Sequence, residues 1–257
     1  MSDRVPISVT VLTFNEEDRI RDCLESVKWA DEIIVVDSLS TDGTLEIVKE
    51  YTDRIVQRPW PGYVEQKQFA LEQATHEWLL NVDADERVSP ELAQEIRNVV
   101  QQDDPSFAGW TMPRKTFYLG RWITRGGWYP DRKLRLVRRT KARWEGVEPH
   151  DRVVVDGPVG RLRGDLHHLT YRDMADHLKR INRFTTAAAR EMDERGKRFV
   201  RGHMLLNPIA KFLKMYLLRL GFLDGQAGFV IAVLSSYYVF LKYAKLWERR
   251  RAARRGS

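Results

Sequence analysis

The chain has little with which to staple itself. Cys23 is its only cysteine, so neither an internal disulfide nor a thiolate metal cluster can form. It falls in a helical pattern with Ile20, Leu24 and Val27, which marks it as a core residue. No G-x-G-x-x-G follows the first apolar run, and no G-x-x-x-x-G-K-[ST] occurs anywhere. A dinucleotide-binding fold and a P-loop ATPase are therefore both disfavoured. The opening Met-Ser-Asp-Arg-Val-Pro carries no secretory apolar region, so the expected compartment is the cytoplasm. Ala227 to Leu241 is uncharged for 15 residues, short of the roughly 20 that span a bilayer. It reads as a buried or interfacial helix.

What is present is unevenly distributed. The 257 residues suit one large domain or two small ones. The formal charge is +7, but residues 1–100 carry 10 Lys and Arg against 21 Asp and Glu, and residues 101–257 carry 33 against 15. An acidic front half precedes a basic back half. A basic surface favours phosphates, nucleic acid or anionic lipid.

The first hundred residues alternate strand and helix. Ile7 to Thr13 is a β-branched run, Glu32 to Asp37 a second strand, Arg54 to Gln57 a third, and the stretch from Glu77 to Glu86, apolar through Trp78, Leu79 and Leu80 and then acidic, supplies a fourth. Helical patterns lie between them, and Ser89-Pro90 opens another helix. This predicts an α/β fold with a mostly parallel central sheet covered on both faces. Ligands in such sheets bind beyond the carboxyl ends of the strands. Thr13 to Glu17, Asp37, Asp83 and Asp85 all fall there. Asp83 and Asp85, two apart in extended backbone, leave on one face and form a hard oxygen site for a divalent ion carried by phosphates. Acidic strand ends repel a phosphate backbone, so no nucleic-acid partner is expected.

Beyond Gly109 the texture changes. Gly120 to Pro130 is too rich in glycine for a regular element. Lys133 to Arg139 reads as a strand with Leu134 and Leu136 inward and Arg135 outward. Asp173 to Glu194 is a helix with Met174, Leu178, Ile181 and Phe184 as its apolar stripe. Asn207-Pro208 caps a helix over Ile209 to Leu220, and Gly221 to Gly225 breaks it. The apolar stretch to Leu241 is followed by Lys242, Lys245 and five arginines between Arg249 and Arg255, the composition of a membrane-surface element. The same apolar segment is equally suited to pairing two copies in a homo-oligomer.

Three phrases carry a resemblance: Thr13-Phe14-Asn15-Glu16-Glu17, Val36-Asp37-Ser38-x-Ser40-x-Asp42-Gly43-Thr44 and Asp83-Ala84-Asp85-Glu86. They resemble the inverting family 2 glycosyltransferases of GT-A fold. Gly127-Trp128-Tyr129-Pro130-Asp131, Arg135-Leu136-Val137-Arg138 and Gly221-Phe222-Leu223-Asp224-Gly225 narrow the resemblance to the lipopolysaccharide core β-glucosyltransferases of Gram-negative bacteria. It implies a GT-A domain over residues 1–200, with a nucleotide-binding half to about 105 and an acceptor-binding half after it. Residues 201–257 then form a C-terminal helical extension associated with the membrane.

The resemblance implies a metal-dependent enzyme that moves a hexose, glucose first, from a UDP-sugar to an inner-core sugar such as heptose. The alternative is transfer from a UDP- or GDP-sugar to a polyprenyl phosphate or another envelope glycan. The acceptor would be an anionic glycolipid, met at the cytoplasmic, inner-leaflet face of the bacterial plasma membrane. Thr13, Asn15 and Glu17 would line the nucleotide side, Asp37 would accept from the uracil N–H, and Lys67 would lie near the nucleotide or diphosphate. Asp83 would contact ribose or metal, and Asp85 would ligate Mg²⁺ or Mn²⁺. Arg135 and Arg138 would meet the diphosphate or an acceptor phosphate. An inverting transfer needs one general base. Asp151 is the first choice and Asp131 the alternative. His150 is a third metal ligand or a surface histidine, and His168 is open in the same way.

Overall fold

β1 (Ile7–Thr13) is buried along its whole length, as its unbroken apolar and β-branched run requires of a strand flanked on both sides. The structure is a computed structural model and describes residues 4–146, 151–196 and 201–253. The neighbours of β1 are β2 (Glu32–Asp37) and β4 (Trp78–Asp83), both parallel to it, and β3 (Ile55–Gln57) extends the parallel set beyond β2. The register pairs Thr13 with Asp37 and Leu12 with Asp83. Both carboxylates therefore leave at one rim of the sheet. α1 (Ile20–Val27), α2 (Thr44–Val48) and α3 (Tyr63–Gln73) connect these strands, and α4 (Pro90–Gln102) follows them. Cys23 is fully buried in the α1 face, among Ile20, Leu24 and Val27, and Ser89 caps α4 by accepting from the Leu92 N–H at 3.1 Å.

The sheet continues past β4 with antiparallel strands. β5 (Glu86–Val88), β6 (Gly109–Tyr118), β8 (Asp131–Arg138) and β12 (Leu166–His168) give the order β3-β2-β1-β4-β8-β6-β12-β5. β8 lies between β4 and β6, so both of its edges are paired and its last four residues are buried. Arg135 is consequently buried rather than outward, at 5% exposure. Arg138, three residues further on and so on the opposite face by strand alternation, is buried too. It donates to Asp103 at 2.7 Å and lies over the Trp78 ring at 4.4 Å, which occupies it internally. Asp131 opens β8 and is not part of the glycine-rich loop. β9 (Ala142–Glu145) and β10 (Arg152–Val155) form a separate hairpin ladder, and β11 (Val159–Arg161) pairs with β6.

The chain packs as two compact units, residues 1–115 with 131–169, and residues 116–130 with 170–257. The second unit thus takes in residues 170–200, assigned by sequence to the first domain. In it β7 (Arg121–Trp122) pairs with the end of β6. α5 (Met174–Glu194) is capped by Asp173, and its buried face is His177, Ile181, Thr185 and Ala189, four residues apart. Leu178, expected in the stripe, sits about 100° round the helix from His177 and is exposed. α6 (Arg201–Leu213) begins six residues before Asn207 and carries Pro208 inside it, so Asn207 is not its cap. α7 (Gly225–Ala253) is one continuous helix.

The Gly221–Asp224 turn that precedes α7 explains its own sequence. Asp224 is buried and accepts from the Thr124 and Arg125 backbone N–H groups at 3.1 and 2.8 Å. A Cβ on Gly228 would lie 1.9 Å from the Gly221 carbonyl oxygen, so only glycine permits this approach. The window from Gly221 to Ala252 is long and apolar enough to cross a membrane by length and composition, and 28% of its most apolar part is buried. The helix is longer than the 15-residue apolar stretch alone suggested because its charged C-terminal turns continue it.

Candidate active site

Two loops at the ends of β1 and β2 are stitched together by the motif residues themselves. Asn15, in a left-handed conformation at φ 53° that asparagine tolerates, accepts from the Thr41 N–H at 2.8 Å, while its own N–H donates to Ser40 Oγ at 2.8 Å. Glu17 accepts from the Gly43 N–H at 2.8 Å. Glu16 N–H donates to Thr44 Oγ1, which donates to Asp42. Asp37 is fully buried and accepts from the Ser40 N–H at 2.9 Å, Ser40 Oγ at 2.5 Å and Gln57 Nε2 at 3.0 Å. In this structure Asn15, Glu17 and Asp37 shape the rim with their side chains. Thr13 Oγ1 beside them, and Gln66 Oε1 on α3, are buried without a hydrogen-bond partner. Gln66 is tied to the loop by its other end, donating to Ser38 Oγ at 3.1 Å.

The D-x-D pair does not share one face. β4 ends at Asp83, and Ala84-Asp85 turns into β5, so the two carboxylates part. Asp83 faces cations on both oxygens: Lys67 Nζ lies 3.4 Å from Oδ1, and Arg135 donates to Oδ2 at 2.6 Å. Burial opposes its ionisation, but Arg135 and Lys67 outweigh burial and hold it well below the usual carboxylate range. Arg135 also donates to Asn81 at 3.0 Å and to the fully buried Glu86 at 2.8 Å. Glu86 in turn accepts from the Asp83 backbone N–H at 3.1 Å and lies 3.4 Å from Arg114. Arg135 therefore has internal partners, and both oxygens of Asp83 face cations.

Asp85 goes to a different neighbour. β12 pairs antiparallel with β5, placing His168 opposite Glu86, and His168 Nε2 lies 3.4 Å from Asp85 Oδ2. Burial works against the Asp85 carboxylate, yet His168 outweighs it and lowers its pKa. His168 Nδ1 is buried without a partner. His150 lies outside the described residues. No group of three His, Cys, Asp or Glu suited to a metal ion occurs among the described residues. Asp85 and His168 could supply one carboxylate oxygen and one imidazole nitrogen to a divalent ion, a mixed set that suits Mn²⁺ better than Mg²⁺, which keeps to oxygen ligands.

The two proposed bases separate clearly. Lys67, the cation that faces Asp83, donates to Asp151 at 3.0 Å and lies 4.8 Å from the Trp144 ring centroid. Asp151 is thereby brought into the same cluster as Asp83. Asp131 instead pairs with Arg114 at 2.7 Å and Lys133 at 3.1 Å. Those two cations overcome its burial and lower its pKa, which weakens it as a base. Glu86, Asn81 and Arg114 were not singled out as site residues by sequence. Glu86 could have been, since it closes the Asp-Ala-Asp-Glu phrase, whereas Arg114 lies in a strand with no motif around it.

The profile described as Glycosyl transferase family 2 matches residues 8–156, a span that holds both stitched loops, Lys67, Asp83, Asp85, Arg135 and Asp151. The chain belongs to the family 2 glycosyltransferases. It is 34% identical over 256 residues to the lipopolysaccharide core biosynthesis glycosyltransferase LpsC of Rhizobium meliloti, covering 97% of this chain and 94% of that one. It is 31% identical to an uncharacterized glycosyltransferase, RT0209, of Rickettsia typhi, over 94% of this chain and 87% of the other. Among solved structures it resembles the mannosyltransferase PcManGT from Pyrobaculum calidifontis, whose structure holds GDP-Man and Mn²⁺. That match has a TM-score of 0.53 and 16% identity, and covers 94% of this chain and 86% of the other. It shows that the fold is GT-A. As a family 2 glycosyltransferase the chain is an enzyme that transfers a sugar.

Proposed function

We propose that this glycosyltransferase moves a hexose from a UDP-sugar to an inner-core sugar of lipopolysaccharide with inversion, glucose and heptose being the pair favoured by the sequence resemblance. The observation that carries the reading is the cluster at the strand ends, where Asp151, Lys67 and Asp83 are in contact and Asp85 and His168 form a pair beside them. The likeness to LpsC over nearly the whole of both chains supports the acceptor class.

Within that reading, the buried, unpartnered Thr13 hydroxyl and Gln66 carbonyl border the nucleotide, with Asp37 beneath the base. Asp85 and His168 would hold a divalent ion, which stabilises the charge gathering on the departing diphosphate. Asp151 accepts the proton of the acceptor hydroxyl as that oxygen attacks the anomeric carbon from the face opposite the leaving group. Lys67 is well placed to fix the orientation of the Asp151 carboxylate, and Glu86 and Arg135 hold Asp83 and the β4 end in place.

The membrane face is supported by the second unit. α6 and its continuation expose Leu206 at 66% and Leu218 at 79%, and α7 exposes Phe229, Val233, Tyr237 and Phe240 along one stripe. Apolar area on this scale, next to Lys211, Lys214 and Arg219, is what a helix pair lying in an anionic membrane surface presents. This fits an enzyme that meets an anionic glycolipid at the cytoplasmic face. The test is release of UDP or GDP from each common nucleotide sugar, with and without Mn²⁺, followed by supply of truncated core glycolipids. Turnover of one UDP-sugar that depends on metal and rises with a core acceptor supports the reading. Turnover with polyprenyl phosphate as the sole acceptor overturns it.

A further inference from the structure

Among the described residues, three arginines of the first unit leave a buried guanidinium nitrogen without a hydrogen-bond partner: Arg19, Arg87 and Arg135. Arg87 is neutralised by Asp22, to which it donates at 3.3 and 3.1 Å. Arg135 is neutralised by Asp83 and Glu86, at 2.6 and 2.8 Å. Arg19, at the N-cap position of α1, is supplied less well. It is 7% exposed. Its carboxylate neighbours, Glu16 and Asp18, each stand 3.9 Å from Nε, beyond hydrogen-bond distance. Past Nε, the Nη1 group is buried without an acceptor. A buried charge that is neither tightly paired nor hydrogen-bonded is unfavourable, so this guanidinium is built to meet an anion that the chain itself does not provide.

Its neighbours fix where the charge lies. Arg87, two residues after Asp85, donates to the Arg19 carbonyl at 3.3 Å. One turn into α1, Cys23 Sγ lies 3.6 Å from the Asp83 carbonyl oxygen. The first turn of α1 therefore rests on the connection between β4 and β5, and the Arg19 charge helps to lower the pKa of Asp85. On its other flank is Glu16, in the loop after β1 that is stitched to the β2 loop. Arg19 is thus bracketed by the loop given to the nucleotide and the carboxylate given to the divalent ion, and in a nucleotide sugar the diphosphate joins those two ends. We propose that Arg19 is the chain's own counter-ion for the donor diphosphate, donating to the phosphate next to the sugar. As the bond from the anomeric carbon to that phosphate breaks, its electron pair stays on the phosphate oxygen. The acceptor oxygen bonds to the anomeric carbon and its proton passes to Asp151. The new charge then gathers beside a cation that is already desolvated and held in place, so little reorganisation is needed. The inference rests on the reading of these strand ends as the donor site.

Binding of UDP and of UMP to the full chain, measured by titration calorimetry in EDTA and again with Mn²⁺, isolates the second phosphate. The wild type is expected to hold UDP more tightly than UMP in both buffers. Arg19→Gln should weaken UDP by about tenfold or more, the scale of a hydrogen bond between charged groups, and leave UMP within about threefold of the wild type. Arg19→Lys keeps the charge but loses the planar fork, so its preference for UDP should fall between the two. It also carries the test if Arg19→Gln does not fold. A merely structural role weakens both nucleotides alike. Equal loss for UDP and UMP, no loss for either, or a wild type that holds UDP no better than UMP in EDTA overturns the proposal. If GDP and GMP bind in place of the uridine pair, the UDP reading of the donor falls, and the same ratio read with the guanosine pair still judges Arg19. Binding of neither pair removes the donor reading of these strand ends, and the proposal with it.

Discussion

Replacing Arg135 with methionine removes the cation around which the strand-end cluster is built while keeping its length and its apolar stem. Arg135 is 5% exposed and donates to Asn81, Asp83 and Glu86 at 3.0, 2.6 and 2.8 Å. Without it, Glu86, which has no exposed surface, keeps the Asp83 N–H and, as its cation, Arg114 at 3.4 Å, and Asp83 keeps Lys67 at 3.4 Å. Breaking a buried pair by deleting one partner costs about 3–5 kcal/mol, because the remaining charge stays buried and under-compensated. In a domain of this size each kcal/mol moves the midpoint by roughly 2–4 °C, so Arg135→Met should lower Tm by roughly 6–20 °C.

The double variant Arg135→Met/Glu86→Gln separates charge from shape. Neutralising Glu86 removes the carboxylate left stranded by the first change. The two substitutions together should then be less damaging than their sum by at least about 1 kcal/mol, within the range measured for residues in direct contact. Urea unfolding followed by far-ultraviolet circular dichroism and by fluorescence gives the four stabilities of the cycle. A cost below about 1 kcal/mol for Arg135→Met, or strict additivity in the cycle, would refute the account of Arg135 as an internal counter-ion.

Asp85→Asn and His168→Ala should each lower metal-dependent turnover, Asp85→Asn by about 10²–10³-fold because leaving-group stabilisation is lost. In both variants the Mn²⁺ concentration for half-maximal activity should rise, which a purely structural role would not cause. Asp151→Asn should lower kcat by about 10²–10⁴-fold, the usual contribution of a general base, while Asp131→Asn should cost less than tenfold; the reverse ranking would make Asp131 the base. His177 gives a pH signature in the second unit. Burial lowers its pKa to about 4 from an ordinary value of 6.5, so the folded state disfavours the proton that the unfolded chain accepts. Stability from this group is complete above pH 6.5 and is lost as pH falls toward 4, by roughly 3 kcal/mol at most. His177→Gln should flatten the decline between pH 6.5 and 4.5 in thermal melts, and an unchanged slope would count against the buried neutral imidazole.

The parts of this chain that were legible in its sequence are those fixed by local pattern. β1, β2 and β4 read from short apolar runs, the Ser89 cap from Ser-Pro-Glu, and the burial of Cys23 from a four-residue helical stripe. What failed had a non-local cause. Arg135 was placed outward because alternation in a strand assumes one wet face, and nothing in Lys-Leu-Arg-Leu-Val-Arg reveals that Asn81, Asp83 and Glu86 wait on that face. Asp83 and Asp85 were placed together because two residues apart means one face in extended backbone, and the turn at Ala84 cancels that. His168 reaches Asp85 only through the pairing of β12 with β5, about eighty residues apart in the chain. The Leu178 stripe on α5 failed by a single residue, since the helix turns toward the Tyr118 partner of His177.

The charge asymmetry was legible as a number and misleading as a location. The acidic front half and basic back half suggested a basic surface that favours phosphates, nucleic acid or anionic lipid. Part of that charge is instead spent inside the first unit, where Arg114 and Arg135 from the back half meet Glu86 and Asp83 from the front, and Lys67 from the front meets Asp151 from the back. Lys67, Arg114, Lys133 and Arg135 face Asp83, Glu86, Asp131 and Asp151, so the cluster closes with equal charges of each sign. A diphosphate entering beside it therefore meets no large surplus of positive charge from these eight groups. In the proposed reading its neutralisation comes from outside them, from a cation held by Asp85 and His168.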